Sequence, residues 1–293
     1  MSKNKTDFIN FFKTLVLLGL IASAMSCQPV SPKYFNDNQH DEILGGKAVE
    51  ASSLFAKKVI YLAIGVETKK TKYGTSMRFE KICTAAALTK RVLLTAAHCV
   101  AGWNSDQISA SSVLNPLQKN TLNPADWIAS EKVLVHPYFK TEPDIINDIA
   151  LIKLSQDLKP DQISKLAVGS QTSDKMKLVL VGYGITNTEE TKEESQNDST
   201  LNYVLKPVVQ FNPVSQKITV SQLDDTGICS GDSGSPGFIY DAVKKDFVVL
   251  GVASYVLKIK NSKDSASSNC HGYGVYMNIL TLTDWINKNI LVL

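Results

Sequence analysis

From residue 43 onward the sequence predicts an all-β fold. Its apolar segments are short, have the length of strands and are rich in β-branched residues. Polar turns separate them, the one convincing helix lies at the carboxyl end, and the repeated strand–helix pattern of a parallel sheet is absent. The chain has 293 residues, 44% hydrophobic and 20% charged, which suits one or two cores and excludes a disordered chain or a fibre. The pattern alone fits a barrel or a sandwich.

Eight segments carry the strand pattern. In chain order they are Lys58–Gly65, Lys90–Thr95, Lys132–His136, Ala150–Leu154, Lys177–Gly182, Leu205–Val209, Gln216–Val220 and Phe247–Ala253. The predicted helix covers Asp284–Ile290, and Thr283 is its expected N-cap. Within it, Trp285, Ile286 and Ile290 are placed to dock on the β-structure.

Three longer polar stretches are predicted as surface loops. They cover residues 103–123, 187–199 and 257–269. The second contains four Glu between residues 188 and 198. That composition indicates a solvated loop open to cleavage rather than a calcium site.

The amino terminus has the pattern of an export signal. Lys3, Lys5 and Lys13 precede or flank the start of an apolar run, Leu15–Ala24, that is too short for a comfortable membrane span. We therefore predict that residues 1–26 are a signal peptide, which is removed on export.

The end of the apolar run, Ala24-Met25-Ser26-Cys27, resembles a bacterial lipobox. In that interpretation Cys27 is lipid-modified and becomes the first residue. The alternative is a plain signal peptide cut after a small residue. Residues 27–42 are polar, contain Pro29 and Pro32, and are predicted as a tether or propeptide. The expected location is the periplasm or outer membrane for a lipoprotein, or outside the cell after processing.

Neither charge nor cysteine spacing points to nucleic acid or to a metal. Lys and Arg number 31 against 28 Asp and Glu, a net charge of +3, and no basic block stands out. The five cysteines are Cys27, Cys83, Cys99, Cys229 and Cys270. Cys27 is the natural odd one if the others pair in an oxidising compartment, and spacing alone leaves three pairings open. Without a C-x-x-C or His-x-x-x-His pattern we predict no metal and no cofactor.

Three short segments carry the residues that acyl transfer needs. They are Thr95–Cys99, Asn147–Leu151 and Gly231–Pro236, and they present His, Asp and Ser in that order. An α/β-hydrolase is excluded, because its Gly-x-Ser-x-Gly motif would end where Ser235 stands and its chain order is Ser, acid, His.

This order, with these neighbours, resembles the chymotrypsin/trypsin-like serine peptidase family. Together with the lipobox, it suggests a bacterial member. The resemblance implies two six-stranded antiparallel β-barrels with the active site between them, followed by the helix. The first barrel would cover about residues 43–160 and the second about residues 161–293, with the boundary in the polar connector Ser155–Lys165.

The mechanism that the resemblance implies is the one already worked out for this family. Ser233 is the nucleophile and His98 the base that takes its proton and later gives it to the leaving amine. Asp148 holds the imidazole in the productive tautomer and stabilises the imidazolium. The amides of Gly231 and Ser233 form the oxyanion hole, where one donor is worth on the order of 100-fold to 1,000-fold in rate. The partner is a protein or peptide substrate.

The resemblance also implies two disulfides. Cys83 is expected to pair with Cys99, which would pin the segment that carries the base. Cys229 is expected to pair with Cys270, beside the nucleophile.

An activation step is implied as well. Ile43-Leu44-Gly45-Gly46 resembles the mature amino terminus of the family, whose new ammonium pairs with the carboxylate preceding the nucleophile, here Asp232. Glu42 stands where members activated by trypsin carry Arg or Lys, so a different activating protease or self-processing is expected. Cleavage there would also release the enzyme from an anchor at Cys27.

Four features bear on specificity. The resemblance places Gly227, six residues before the expected nucleophile, at the base of the primary pocket, where trypsin-like members have Asp. Ser254-Tyr255-Val256 resembles the segment that pairs with substrate, Gly274 matches the other wall, and Val256 narrows the mouth as in elastase-like members. A small apolar residue at the cleaved position is therefore expected, favoured by about 1 to 3 kcal/mol. Asp225, offset by two residues, leaves basic specificity as the alternative.

The remaining histidines and the non-enzyme alternative complete the predictions. His40 lies in the leader, and His136 and His271 are expected to be structural, His271 at the surface or the pocket rim. A catalytically silent binding module would usually lack a residue of the triad, and none is missing here. A third hypothesis is proteolysis directed at a single partner through the long loops. We expect a monomer.

Overall fold

The computed structural model describes residues 43–72, 74–117, 124–169, 175–185, 200–211, 214–259 and 270–293. The predicted signal peptide, the tether, Cys27 and the acidic loop at 188–198 lie outside the described residues. No helix within these ranges is both long enough and apolar enough to cross a membrane.

The described chain is almost entirely β-structure. Its strands are β1 (Lys47–Ala48), β2 (Val59–Ile64), β3 (Glu67–Thr71), β4 (Gly74–Arg78), β5 (Lys81–Ala87), β6 (Val92–Thr95), β7 (Ile108–Ser111), β8 (Ile128–Val135), β9 (Ala150–Leu154), β10 (Lys165–Leu166), β11 (Lys177–Gly182), β12 (Asn202–Phe211), β13 (Lys217–Ser221), β14 (Pro236–Asp241), β15 (Asp246–Lys258) and β16 (Gly272–Asn278). The two α-helices in the described ranges are α1 (Ala97–Val100) and α2 (Thr283–Ile290).

Six antiparallel strands close the first barrel in the order β2-β5-β6-β9-β8-β7. All six residues of β2 and all four of β6 are buried, which is why these continuous apolar segments could be predicted from sequence. Strands β3 and β4 form a separate two-stranded hairpin, which lies between β2 and β5 in the sequence.

The second barrel follows the order β12-β11-β14-β15-β16-β13, and pairing of β12 with β13 closes it. Its core includes Leu178, Leu180, Val248, Leu250 and Tyr276. Strand β10 runs parallel to β15, and β1 adds to β12. The start of the described chain therefore joins the second barrel although it precedes the first in sequence.

The predicted fold class is confirmed: two six-stranded antiparallel β-barrels and a carboxyl-terminal helix. Every predicted strand is present, with ends shifted by a few residues. The loop predicted at 103–123 is wrong in part, because it contains β7, whose Ser and Ala residues lack the β-branched signature. The loop predicted at 257–269 is wrong at its start, because β15 continues through Lys258.

The predicted cap of the terminal helix is wrong. Leu282 occupies the N-cap position and makes no side-chain cap, whereas Thr283 is the first helical residue and its hydroxyl donates to Ile279 O at 2.8 Å. A preceding short 3-10 turn supplies that carbonyl. The helix docks through Ile286, which is fully buried, and through Trp285, whose ring lies 4.7 Å from that of His136.

Candidate active site

The pairing of β6 with β9 brings the predicted base and its carboxylate together. Thr95, the last residue of β6, lies opposite Ala150, the first of β9. His98 follows β6 by three residues on α1, and Asp148 precedes β9 by two. Both side chains therefore emerge at the same end of the first barrel.

Asp148 is fully buried and accepts three hydrogen bonds. His98 donates from its backbone amide to Oδ1 at 2.9 Å, and its Nδ1 lies 2.7 Å from Oδ2. The hydroxyl of Ser254 donates to the same Oδ2 at 2.5 Å. Because the carboxylate accepts a hydrogen bond from Nδ1–H, Nε2 is the acceptor in the neutral imidazole, which is the tautomer that a general base requires.

Ser233 lies on the turn before β14 of the second barrel and faces the first barrel. Its carbonyl accepts from Thr84 N of β5 at 2.8 Å, and Gly234 N donates to Ala253 O at 2.8 Å. Within the described residues, the ring of His98 bonds Asp148 and lies 4.0 Å from Cys99 Sγ, and no hydrogen bond joins it to Ser233 Oγ. Contacts of this kind often tighten only when substrate binds.

Thr84 connects the two barrels at Ser233, the predicted nucleophile. Besides its amide bond to Ser233, its hydroxyl donates to Gly231 O at 3.0 Å and accepts from Tyr183 N at 3.3 Å. Its carbonyl accepts from the hydroxyl of Thr95 at 2.8 Å. This one residue of β5 therefore holds both ends of the segment 231–233.

The backbone around Ser233 is shaped by glycine. Gly231 has φ +97° and Gly234 φ +83°, a region that side chains avoid, and a Cβ at Gly234 would clash with Thr95. Neither the N–H of Gly231 nor that of Ser233 has an acceptor among the described residues, whereas Asp232 N donates to Cys229 O at 3.1 Å. Two donors are thus left for a developing oxyanion.

Asp232 is buried beneath this turn. Its two oxygens accept from Gly184 N and Cys229 N, each at 2.8 Å. Burial raises the pKa of its carboxyl to about 7, against the opposing effect of these two donors. No described side chain forms an ion pair with it, and Ile43 N is still an amide in this continuous chain, so the predicted ammonium partner is not formed here.

Both disulfides that the resemblance implies are present. Cys83 is bonded to Cys99 with a Cα–Cα distance of 6.3 Å, which ties β5 to the helix that carries His98. Cys229 is bonded to Cys270 with a Cα–Cα distance of 5.3 Å, which ties the nucleophile turn to the segment entering β16.

A cavity of about 220 Å³ opens beside Ser233. Three of the predicted substrate-binding residues, Ser254, Tyr255 and Val256, line it, together with residues that were not predicted, chiefly Ile228 and Lys258. The other two predicted positions, Gly227 and Gly274, do not line it. Asp225, the basis of the alternative basic specificity, lies outside the cavity and is mostly exposed, and its carboxylate is 2.7 Å from Nδ1 of His271.

Sequence reasoning missed residues that act through neighbours. Lys81 Nζ donates to His98 O at 2.9 Å; burial lowers the pKa of this ammonium, while the charge of Asp148 opposes that effect. Gln222 packs between Gly227 and Gly274. Neither residue belongs to a sequence motif, and no signal in a single sequence marks them.

Comparisons with known proteins agree with this geometry. The family model described as Trypsin matches residues 65–286. Chymotrypsin-2 of Vespa crabro is 29% identical over 229 residues, which cover 75% of this chain and 94% of the relative. The venom peptide isomerase heavy chain of Agelenopsis aperta is 28% identical, covering 75% and 91%, and a trypsin of Phaedon cochleariae is 26% identical, covering 72% and 80%. These relatives are not bacterial and give no support to the predicted bacterial membership.

The matched region contains the His98 and Asp148 pair, the Ser233 turn and both disulfides, and it covers most of the two barrels. The chain therefore belongs to the trypsin family, and the protein is a serine endopeptidase.

Proposed function

We propose that the protein cleaves peptide bonds through an acyl-enzyme formed on Ser233. The observation that carries this proposal is the buried Asp148 bonded to His98 Nδ1, with Ser233 tied to the same barrel through Thr84. His98 takes the hydroxyl proton and returns it to the leaving amine, and Asp148 stabilises the imidazolium. The amides of Gly231 and Ser233 receive the oxyanion.

The preferred residue at the cleaved position is small and apolar in this proposal. Val256 and Ile228 present branched apolar side chains to the cavity beside Ser233. Basic specificity would need a carboxylate in that cavity, and Asp225 is engaged by His271 outside it. The one charged residue among the described lining residues, Lys258, is basic, so the described lining offers no carboxylate to Arg or Lys.

Activation by cleavage between Glu42 and Ile43 is part of the proposal. Ile43 is already buried in the second barrel's core, and Leu44 O accepts from Gly227 N at 3.0 Å. Ile43 has φ +71°, a strained value for a β-branched residue. Cleavage removes the preceding carbonyl and with it this constraint. The free ammonium could then pair with Asp232, whose carboxylate has no cationic partner among the described side chains.

Export is supported by the two disulfides, which persist in oxidising compartments. We propose a signal peptide over residues 1–26, a tether over 27–42 and lipidation of Cys27, which rest on sequence alone. Bacterial membership likewise rests only on the lipobox. A Cys27→Ala variant of the lipoprotein should leave the membrane fraction, and unchanged partitioning would refute the anchor. Amino-terminal sequencing of the native protein tests cleavage before Ile43.

The test of the catalytic proposal is active-site labelling of protein that begins at Ile43. A fluorophosphonate should add once, as seen by intact mass, and the adduct should disappear in Ser233→Ala. Peptides ending in Ala or Val at the cleaved position should then be hydrolysed faster than those ending in Phe or Arg. Absence of an adduct on folded, processed protein would instead support the silent binding module.

A further inference from the structure

Gln222 lies directly after β13, and its side chain fills the space beneath the primary pocket. The residue is fully buried. A Cβ at Gly227 would clash with its Cγ and Cδ, and a Cβ at Gly274 would clash with its Oε1. These are the two positions expected at the base and wall of the pocket. The glycines are therefore required by Gln222, which occupies the volume that their side chains would take.

The amide of Gln222 is fixed between the two walls of the pocket. Nε2 donates to Ile228 O at 2.9 Å and to Cys270 O at 2.7 Å. Oε1 accepts from Ile228 N at 3.1 Å, and the backbone N–H donates to Gly272 O at 2.9 Å. Both amide protons and one oxygen lone pair are thus engaged, so the group is held in one orientation.

The cavity is backed by this amide, which bonds two of the residues that line it, Ile228 and Cys270. Ile228, Cys229 and Cys270 line its walls, whereas Gln222 itself does not reach the lining. Among the described lining residues the only charge belongs to Lys258, at the end of β15. A side chain that enters therefore meets Ile228, Val256 and the Cys229–Cys270 disulfide, and it finds no carboxylate among the described lining residues.

We propose that Gln222 is the floor of the primary specificity pocket and excludes large side chains from it. The inference rests on the proposed catalytic site, because the cavity is the specificity pocket only if Ser233 is the nucleophile. It assigns the size limit to the floor, whereas the sequence assigns it to Val256 at the mouth. The substrate class is peptides with Ala or Val on the acyl side of the cleaved bond.

The first experiment compares processed wild type with Gln222→Ala and Val256→Gly. Rates on peptides ending in Ala, Val, Phe, Arg and Glu are normalised by fluorophosphonate titration, which counts assembled sites. Gln222→Ala should raise the Phe-to-Ala ratio of kcat/KM about tenfold or more. Val256→Gly alone should change it less than threefold. The proposal is overturned if Gln222→Ala that still reacts with the fluorophosphonate keeps the wild-type Phe-to-Ala ratio of kcat/KM. It is also overturned if Val256→Gly alone raises that ratio about tenfold, or if wild type prefers Phe, Arg or Glu.

Gln222→Ala leaves three buried backbone groups without their partner, so Gln222→Asn serves as a second variant. Its amide is one methylene shorter, and an intermediate Phe-to-Ala ratio is expected. A readout independent of catalysis uses indole binding by calorimetry in the Ser233→Ala background. The double variants that combine Ser233→Ala with Gln222→Ala or with Gln222→Asn should bind indole at least tenfold more tightly than the single variant Ser233→Ala. Equal affinities in a protein whose wild type is labelled would overturn the role of Gln222 alone. Lack of labelling in wild type would overturn the catalytic proposal, and the indole result would then show only whether Gln222 limits the size of the cavity.

Discussion

The buried carboxylate of Asp232 should make the stability of the unprocessed chain depend on pH. Burial raises its pKa from 3.8 to about 7. Below about pH 3.8 the folded and unfolded states are both protonated and no penalty exists. Between 3.8 and 7 the unfolded state ionises first, so stability falls as pH rises. Above pH 7 the loss is complete, and at about 1.4 kcal/mol per pH unit it amounts to about 4 kcal/mol.

Urea unfolding of the full chain carrying Ser233→Ala measures this effect without self-cleavage. About 2 to 3 kcal/mol of the Asp232 contribution should be lost between pH 5 and pH 8. The control is the same chain with Asp232→Asn, in which the histidines and other groups still titrate. The free-energy difference between the two proteins should therefore change by about 2 to 3 kcal/mol over this range. A difference that is constant with pH would refute the reasoning.

Processing should reverse the direction in which the Asp232 contribution to stability changes with pH. In protein that begins at Ile43, pairing with the ammonium would lower the pKa of Asp232, and the stability it confers would be lost as pH falls through that lowered value. The same two-protein comparison on the processed form tests this. An unchanged slope would show that the new amine does not reach the carboxylate.

Three further changes follow from contacts described by the structure. Gly184→Ala places a methyl group against the buried carboxylate of Asp232 and should lower stability by about 3 kcal/mol in thermal unfolding. The control Gly169→Ala places its methyl group in open space and should be nearly neutral, and equal effects of the two substitutions would contradict this prediction. Asp246→Asn leaves the buried ammonium of Lys58, 2.6 Å away, unpaired, so in urea unfolding it should cost about 2 kcal/mol more than Lys58→Met; the reverse order would be inconsistent with that burial. Ser254→Ala removes one donor to the proposed triad carboxylate and should reduce kcat/KM about tenfold or more with little change in fold by circular dichroism; an unchanged rate would show that the donor is dispensable.

Much of the fold could be predicted from local composition. Strands β2, β6 and β9 are dense in β-branched and aliphatic residues and were predicted almost to the residue. Strand β7 has the sequence ISAS, and the hairpin β3–β4 is polar, so neither shows the pattern. Strand β7 is held by pairing with β2 and β8, and β3 pairs with β4, and local composition encodes none of these partners.

The candidate site, like the fold, could be predicted only in part from the sequence. His98, Asp148 and Ser233 adjoin strand ends and stand in short motifs, so their places could be predicted. Gln222 and Lys81 matter through the reach of one side chain across the fold, and only the packed structure shows which groups they meet. The sequence marks Gly227 as a position without the Asp of trypsin-like members, but the side chain of Gln222 that packs against it shows only in the structure.

Thr84 has a mechanical consequence. Its amide bonds Ser233 and its hydroxyl bonds Gly231 and Tyr183, so three hydrogen bonds cross from β5 to the second barrel. Its carbonyl is meanwhile held by Thr95 within the first barrel. Any rotation of one barrel against the other would have to break this set of bonds before Ser233 could move away from His98. The two halves of the chain therefore cannot act as hinged jaws at this point. The placement of Ser233 against the first barrel is set when the protein folds.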